Sequence, residues 1–167
     1  MSIRDLAHVG TTAALAVVLG LICKALPLPR MPYGGSISLE SLPILYLATW
    51  RGVRPGISAG ILCGLIQLLL GAHIFHPAQV ILDYPLAFGL LGVGGLFPSS
   101  VVLTCVIGGS ARFVAHFASG IIFFSSYAPE GTAVWAYSAL YNISYLRPEM
   151  VISAALLPFI IRRASSV

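Results

Sequence analysis

The sequence predicts an all-α integral membrane protein, a single domain over residues 1–167 built as a bundle of six transmembrane helices with both termini cytoplasmic. Three observations predict it. Hydrophobic residues make up 58% of the chain and charged residues only 8%, a balance foreign to ordinary soluble domains. Apolar stretches approaching the ~20 residues that span a bilayer recur along the chain. The turns between them carry Pro, Gly and an uneven share of the arginines.

The first span covers about residues 6–26 and stops at Pro27-Leu28-Pro29. No small-residue cleavage site follows this run, so residues 1–8 do not read as a signal that is removed. A turn-rich loop from Arg30 through Met31 to Ser36 comes next, then a shorter apolar segment over about 39–50. Arg51-Gly52-Val53-Arg54-Pro55 forms a tight basic turn into a third span over about 56–71. Residues 72–77, with His73 and His76, form a short polar connection. The fourth span covers about 78–96, breaks at Pro98 and leads into a long fifth span that reaches Phe124. Residues 127–147 are polar and punctuated by Gly and Pro, so an external ordered loop is expected there, with a short helix near 133–143. The sixth span starts at Arg147-Pro148-Glu149, where Pro suits a first helical turn, and ends at Arg162-Arg163. With the termini inside, the inner face collects Arg4, Arg51, Arg54, Arg162 and Arg163, and the outer face Lys24, Arg30 and Arg147.

Against this background an ionisable side chain within a span is costly unless it lines a cavity or meets a partner. Arg112, His116, Gly120 and Phe124 are spaced four apart and share one helix face. They offer a cation, a flat imidazole, a gap and an aromatic ring. Asp83-Tyr84 lies near the outer end of the fourth span, so these groups and the two external loops converge on one outer pocket for a polar, charged small molecule. Each has a plainer reading. The stripe could be a helix-packing face, Asp83 and Arg112 could be a structural ion pair, and Trp135 and Tyr137 could belong to an interfacial aromatic belt. Asn142 is more specific, because one amide supplies both a donor and an acceptor. Glu40 could favour the start of the second helix or touch a ligand. Cys23, Cys63 and Cys105 read as small hydrophobes.

There is no GxxxxGK[ST] loop, HExxH or GxSxG, and the basic residues are too dispersed to bind nucleic acid. A solute pocket without an energy module implies partner subunits. Gly10 and Ala14, and Thr12, Ala16 and Gly20, supply small residues at four-residue spacing on the first helix, suited to close packing with a partner helix.

Four strings in order carry a resemblance. They are Met31-Pro32-Tyr33-Gly34-Gly35-Ser36-Ile37-Ser38-Leu39-Glu40, Leu82-Asp83-Tyr84-Pro85-Leu86-Ala87-Phe88, Arg112-Phe113-Val114-Ala115-His116-Phe117-Ala118-Ser119-Gly120, and Ala136-Tyr137-Ser138 with Tyr141-Asn142. Together they resemble the thiamine-specific substrate-binding (S) components of energy-coupling factor transporters, over nearly the whole chain. The resemblance implies a multi-pass protein of the prokaryotic plasma membrane that binds thiamine at the outer side, as transported ligand and without a cofactor. It also implies a transmembrane coupling subunit and two cytoplasmic ATPases as partners.

By matching motif, His116 and Phe124 would sandwich the thiazolium, and Asp83, Tyr137 and Asn142 would hold the aminopyrimidine. Tyr84 and Gly120 would lie near the hydroxyethyl arm, and residues 31–36 would form a lid. Trp135 would lie close enough to the ligand for its fluorescence to be quenched. Phe124 stands where the family often has Trp, and Asp83 where it often has Glu. An S component for another vitamin or a thiamine precursor, a small intramembrane enzyme using Asp83 and His116 as acid and base, and a purely structural subunit remain alternatives.

Overall fold

The computed structural model describes residues 1–164, and of Tyr33 the backbone only. Residues 165–167, the end of the expected domain, lie outside the described residues. Helix α1, Ile3–Ala25, starts in a capping box: Ser2 Oγ accepts from the Asp5 N–H, and the Asp5 carboxylate accepts from the Ser2 N–H. The chain then crosses a loop into α2, Ser41–Arg51, and turns sharply at Gly52 into α3, Val53–Leu69. Gly52 has φ 89°, a left-handed conformation that few other residues adopt. Helix α4 runs over Pro77–Leu96, α5 over Val101–Phe123 and α6 over Val134–Ala164.

α1, α4, α5 and α6 are each long and apolar enough to cross a membrane. α2, with 11 residues, and α3, with 17, fall short of that length. α2 is instead the centre of the bundle, with Ser41, Leu42, Pro43, Ile44, Leu45, Leu47 and Ala48 all buried. The core around it joins Ala13 and Val17 of α1, Cys63 of α3, Phe88 and Leu91 of α4, Cys105 of α5 and Leu157 of α6. The three cysteines are free and buried, Cys63 and Cys105 within the apolar core and Cys23 beside the cavity described below. Outward faces are apolar too, as Val18, Val106, Val114, Val151 and Phe159 show.

Two elements depart from the sequence expectation. The segment 127–147 is not mainly a loop, because α6 begins at Val134 and runs unbroken through Pro148 and Pro158 for 31 residues. At 1.5 Å per residue that is about 46 Å, longer than the ~30 Å apolar core of a bilayer. Its polar residues mislead because they face inward: Ser138, Asn142, Tyr145, Glu149 and Ser153 are buried along one stripe. α4 departs in the other direction, since it is not a regular helix. An α turn, Pro77–Ile81, passes into a π turn, Leu82–Leu86, then an α turn, Ala87–Leu90, and a 3-10 stretch, Leu91–Leu96. Pro85 has no N–H to donate, and the Ala87 N–H reaches back five residues to the Leu82 carbonyl.

α3 and α4 pack backbone to backbone. A side chain at Gly60 would strike the Phe88 carbonyl, and one at Gly64 the peptide of Tyr84. Gly60→Leu is therefore expected to destabilise the protein by at least about 1–3 kcal/mol, by overpacking a contact that has no flexible side chain to yield. Thermal unfolding of the purified protein in detergent would show this as an earlier transition.

Candidate functional site

A cavity of about 430 Å³ opens between α4, α5 and α6 beneath the α1–α2 loop. That volume lies in the range of small-molecule sites. Asp83, Tyr84, His116, Gly120, Phe124, Tyr137, Asn142, Arg112 and Glu40 all line it.

Asp83 sits in the π turn of α4, which carries it onto the cavity wall beside α5. Its Oδ1 lies 3.1 Å from His116 Nδ1, while Oδ2 accepts from Gln79 Nε2 at 2.7 Å and Ser119 Oγ at 2.9 Å. Tyr84, the next residue, accepts from the His73 N–H at 2.8 Å and so fastens the α3–α4 connection to the site.

Arg112 is one turn before His116 on α5, and the alternative reading of Asp83 and Arg112 as a structural ion pair does not hold. The guanidinium instead donates to Glu149 Oε1 at 2.9 Å and Ser41 Oγ at 2.6 Å, with its Nε 3.4 Å from His116 Nε2. The face of Phe88 covers it, 4.4 Å from the guanidinium carbon to the ring centroid. Arg112 and Glu149 are 5% and 0% exposed, so the pair is almost wholly withdrawn from water.

Gly120 lines the cavity, but the place of a side chain there is filled by Ser138 Oγ of α6. Its small size therefore serves the α5–α6 contact. Phe124 ends α5 and is packed among aromatic rings, 5.6 Å from Phe75 and 6.0 Å from Tyr127 between centroids.

α6 supplies the opposite wall. Asn142 donates to the Ser138 carbonyl at 2.9 Å, and its Oδ1 accepts from the Tyr145 hydroxyl at 2.7 Å. The Tyr145 ring meets His116 edge-on at 6.1 Å, and Tyr141 lies between Tyr145 and Tyr137 in an aromatic row. The Tyr141 hydroxyl donates to the Pro32 carbonyl and accepts from the Gly35 N–H at 3.1 Å, tying the loop to α6.

Glu40 precedes α2 and makes no capping bond to it. Its carboxylate is buried and accepts from Gln67 Nε2, and Gln67 Oε1 in turn accepts from Lys24 Nζ at 3.2 Å. Gly20 of α1 leaves the space that the Glu40 side chain occupies. Trp135 is 64% exposed and does not line the cavity, so it is not the ligand-proximal fluorophore that was expected. The small-residue stripes on α1 separate as well: Ala16 and Gly20 are buried, whereas Gly10 and Ala14 face outward.

Sequence reasoning missed Gln67, Gln79, Ser119, Tyr145 and above all Glu149. Once α6 is continuous, Glu149 lies seven residues after Asn142 and four after Tyr145, on the same helix face. That spacing was the available signal, and reading Pro148 as a helix start concealed it. Among the described residues no group of three or more His, Cys, Asp or Glu is placed to hold a metal ion.

Comparison with known proteins identifies relatives of the whole chain. A relative from Bacillus subtilis (strain 168), the thiamine transporter ThiT, is 37% identical over 170 residues, covering 91% of this chain and 87% of the relative. A thiamine transporter ThiT from Lacticaseibacillus paracasei is 34% identical over 143 residues, 71% of each protein. A solved structure of ThiT from Listeria monocytogenes superposes with a TM-score of 0.86 at 27% identity, covering 98% of this chain and 96% of that one. The family model described as "Thiamine transporter protein" matches residues 6–167. The chain therefore belongs to the thiamine transporter protein family, a family of multi-pass membrane transporters rather than enzymes.

Proposed function

We propose that the protein captures thiamine at the extracellular face of a prokaryotic cell membrane, as the S component of an energy-coupling factor importer. In this reading the chain is one domain with six spans and cytoplasmic termini, α2 being a short central span. The observation that carries the proposal is the cavity, which gathers intramembrane polar groups and aromatic rings from four separated sequence strings. Aromatic and imidazole faces suit a permanent cation in low dielectric. Asp83, Asn142 and Tyr137 match the donor and acceptor edges of an aminopyrimidine. His116 and Phe124 contribute ring faces, Tyr84 and Gly120 flank the hydroxyethyl arm, and the Tyr141-anchored loop closes over the ligand.

The test is calorimetric titration of the purified chain with thiamine, because neither Trp135 nor Trp50 lines the cavity. Saturable binding with one thiamine per chain is expected. No heat at micromolar thiamine would remove the thiamine assignment. Equal binding of the isolated pyrimidine half would favour a precursor as the ligand.

A transmembrane coupling subunit and two cytoplasmic ATPases complete the proposed importer. The outward Gly10 and Ala14 of α1 offer a close approach to a partner helix. Ala14→Trp is expected to abolish co-purification with the coupling subunit while thiamine binding stays within about twofold, since the ring would project away from the cavity. Normal assembly of that variant would move the contact elsewhere.

A further inference from the structure

We propose that Arg112 and Glu149 act as a positioning pair that makes His116 an uncharged stacking face for a cationic ligand. The inference rests on the thiamine reading and goes beyond it by giving a role to a buried charge pair, of which Arg112 reaches the cavity wall and Glu149 lies behind it.

The argument follows the hydrogen atoms. An arginine Nε–H can only donate, so at 3.4 Å from His116 Nε2 it makes that nitrogen the acceptor. The ring proton then sits on Nδ1 and is donated to Asp83 Oδ1 at 3.1 Å. A second proton on Nε2 would set N–H against N–H. With both nitrogens engaged, His116 has no hydrogen bond left to offer a ligand, only its face.

Glu149 completes the device. Arg112 alone would place a positive charge behind the stacking ring and repel a thiazolium. Glu149 Oε1 balances that charge, and with Ser41 Oγ it fixes the guanidinium's direction. Asp83 from α4, Arg112 on its own helix and Tyr145 from α6 contact the ring, Glu149 lies behind Arg112, and Glu40 ahead of α2 and Lys24 of α1 are further charged groups on the cavity wall. The arrangement selects for charge: a cation meets a neutral ring backed by a balanced pair, with a carboxylate beyond.

The experiment compares thiamine with its thiophene analogue, uncharged and of the same shape, on the parent and on Glu149→Gln. The amide keeps an acceptor for Arg112 but removes the balancing charge. Thiamine affinity is expected to fall at least about tenfold while the analogue changes by no more than about threefold. Glu149→Asp should restore the preference. A purely structural role would weaken both ligands alike, and an equal or absent loss overturns the proposal.

Nitrogen NMR of histidine-labelled protein supplies a second arm, with the His116 signals assigned by their absence in His116→Ala. The parent should show one protonated and one bare ring nitrogen. The double variant Arg112→Met, Glu149→Met leaves no orphan charge, and it should lose that pattern; if the pattern persists, Arg112 does not set the ring. Should the parent bind neither compound, the functional reading fails, and the nitrogen signals alone decide the positioning role.

Discussion

Arg112→Met is expected to destabilise the protein by about 3–5 kcal/mol, the usual consequence of removing one member of a buried ion pair. Glu149 is fully buried, and its Oε1 accepts from both Arg112 and Ser41. Without the guanidinium, a carboxylate deep in the bundle would be left with one hydroxyl. Among the described residues its Oε2 has no hydrogen-bond partner, so no second contact there stands ready to compensate. Glu149→Met should be similarly harmful for the opposite reason, stranding the cation between Phe88 and Ser41. The double variant removes both charges together and should recover most of the loss, because well-packed apolar replacements of a buried pair are often neutral or better. Thermal unfolding of the three variants in one detergent gives the comparison. Additive losses in the double variant would show that the two residues act independently.

Asp83→Ala and His116→Ala are each expected to weaken thiamine binding by at least about tenfold, or about 1.4 kcal/mol. For Asp83 the loss has two parts. The carboxylate no longer meets the ligand, and Gln79, Ser119 and His116 lose their shared acceptor inside a closed wall. For His116 the loss is of a stacking surface and of the orientation it gives Asp83. Calorimetric titration against the parent, with helicity checked first, measures both. Parent-like binding by both variants would place the ligand away from the α4–α5 wall and overturn the site assignment.

The parts of this molecule that were legible in its sequence are those governed by local rules. Apolar length marked α1, α5 and most of α4, and Gly52 with its neighbouring arginines marked the turn between α2 and α3. Four-residue spacing placed Arg112 and His116 on one face, which the cavity then uses. The rest depended on partners far along the chain. Arg112 lies 37 residues from Glu149 and 71 from Ser41, and no local spacing predicts such meetings. The polar content of residues 127–147 looked like a loop because hydropathy scores a cavity wall and a water-exposed turn alike. Pro148 then looked like a beginning, although α6 passes straight through it.

The π turn of α4 has a consequence for how this protein tolerates insertions and deletions. A helix advances about 100° per residue, so the one extra residue in a wide turn rephases everything on one side of it relative to the other. Gln79 and Asp83 before or within the turn, and Phe88 after it, look into the same space only because that phase slip is present. Deleting a single residue between Leu82 and Leu86 would shorten the helix by a mere 1.5 Å or so. It would nonetheless swing Asp83 round toward a neighbouring helix or the lipid, while the flanking turns kept their own contacts. The binding wall is thus written in angular register, and a loss too small to disturb the fold's outline could erase it.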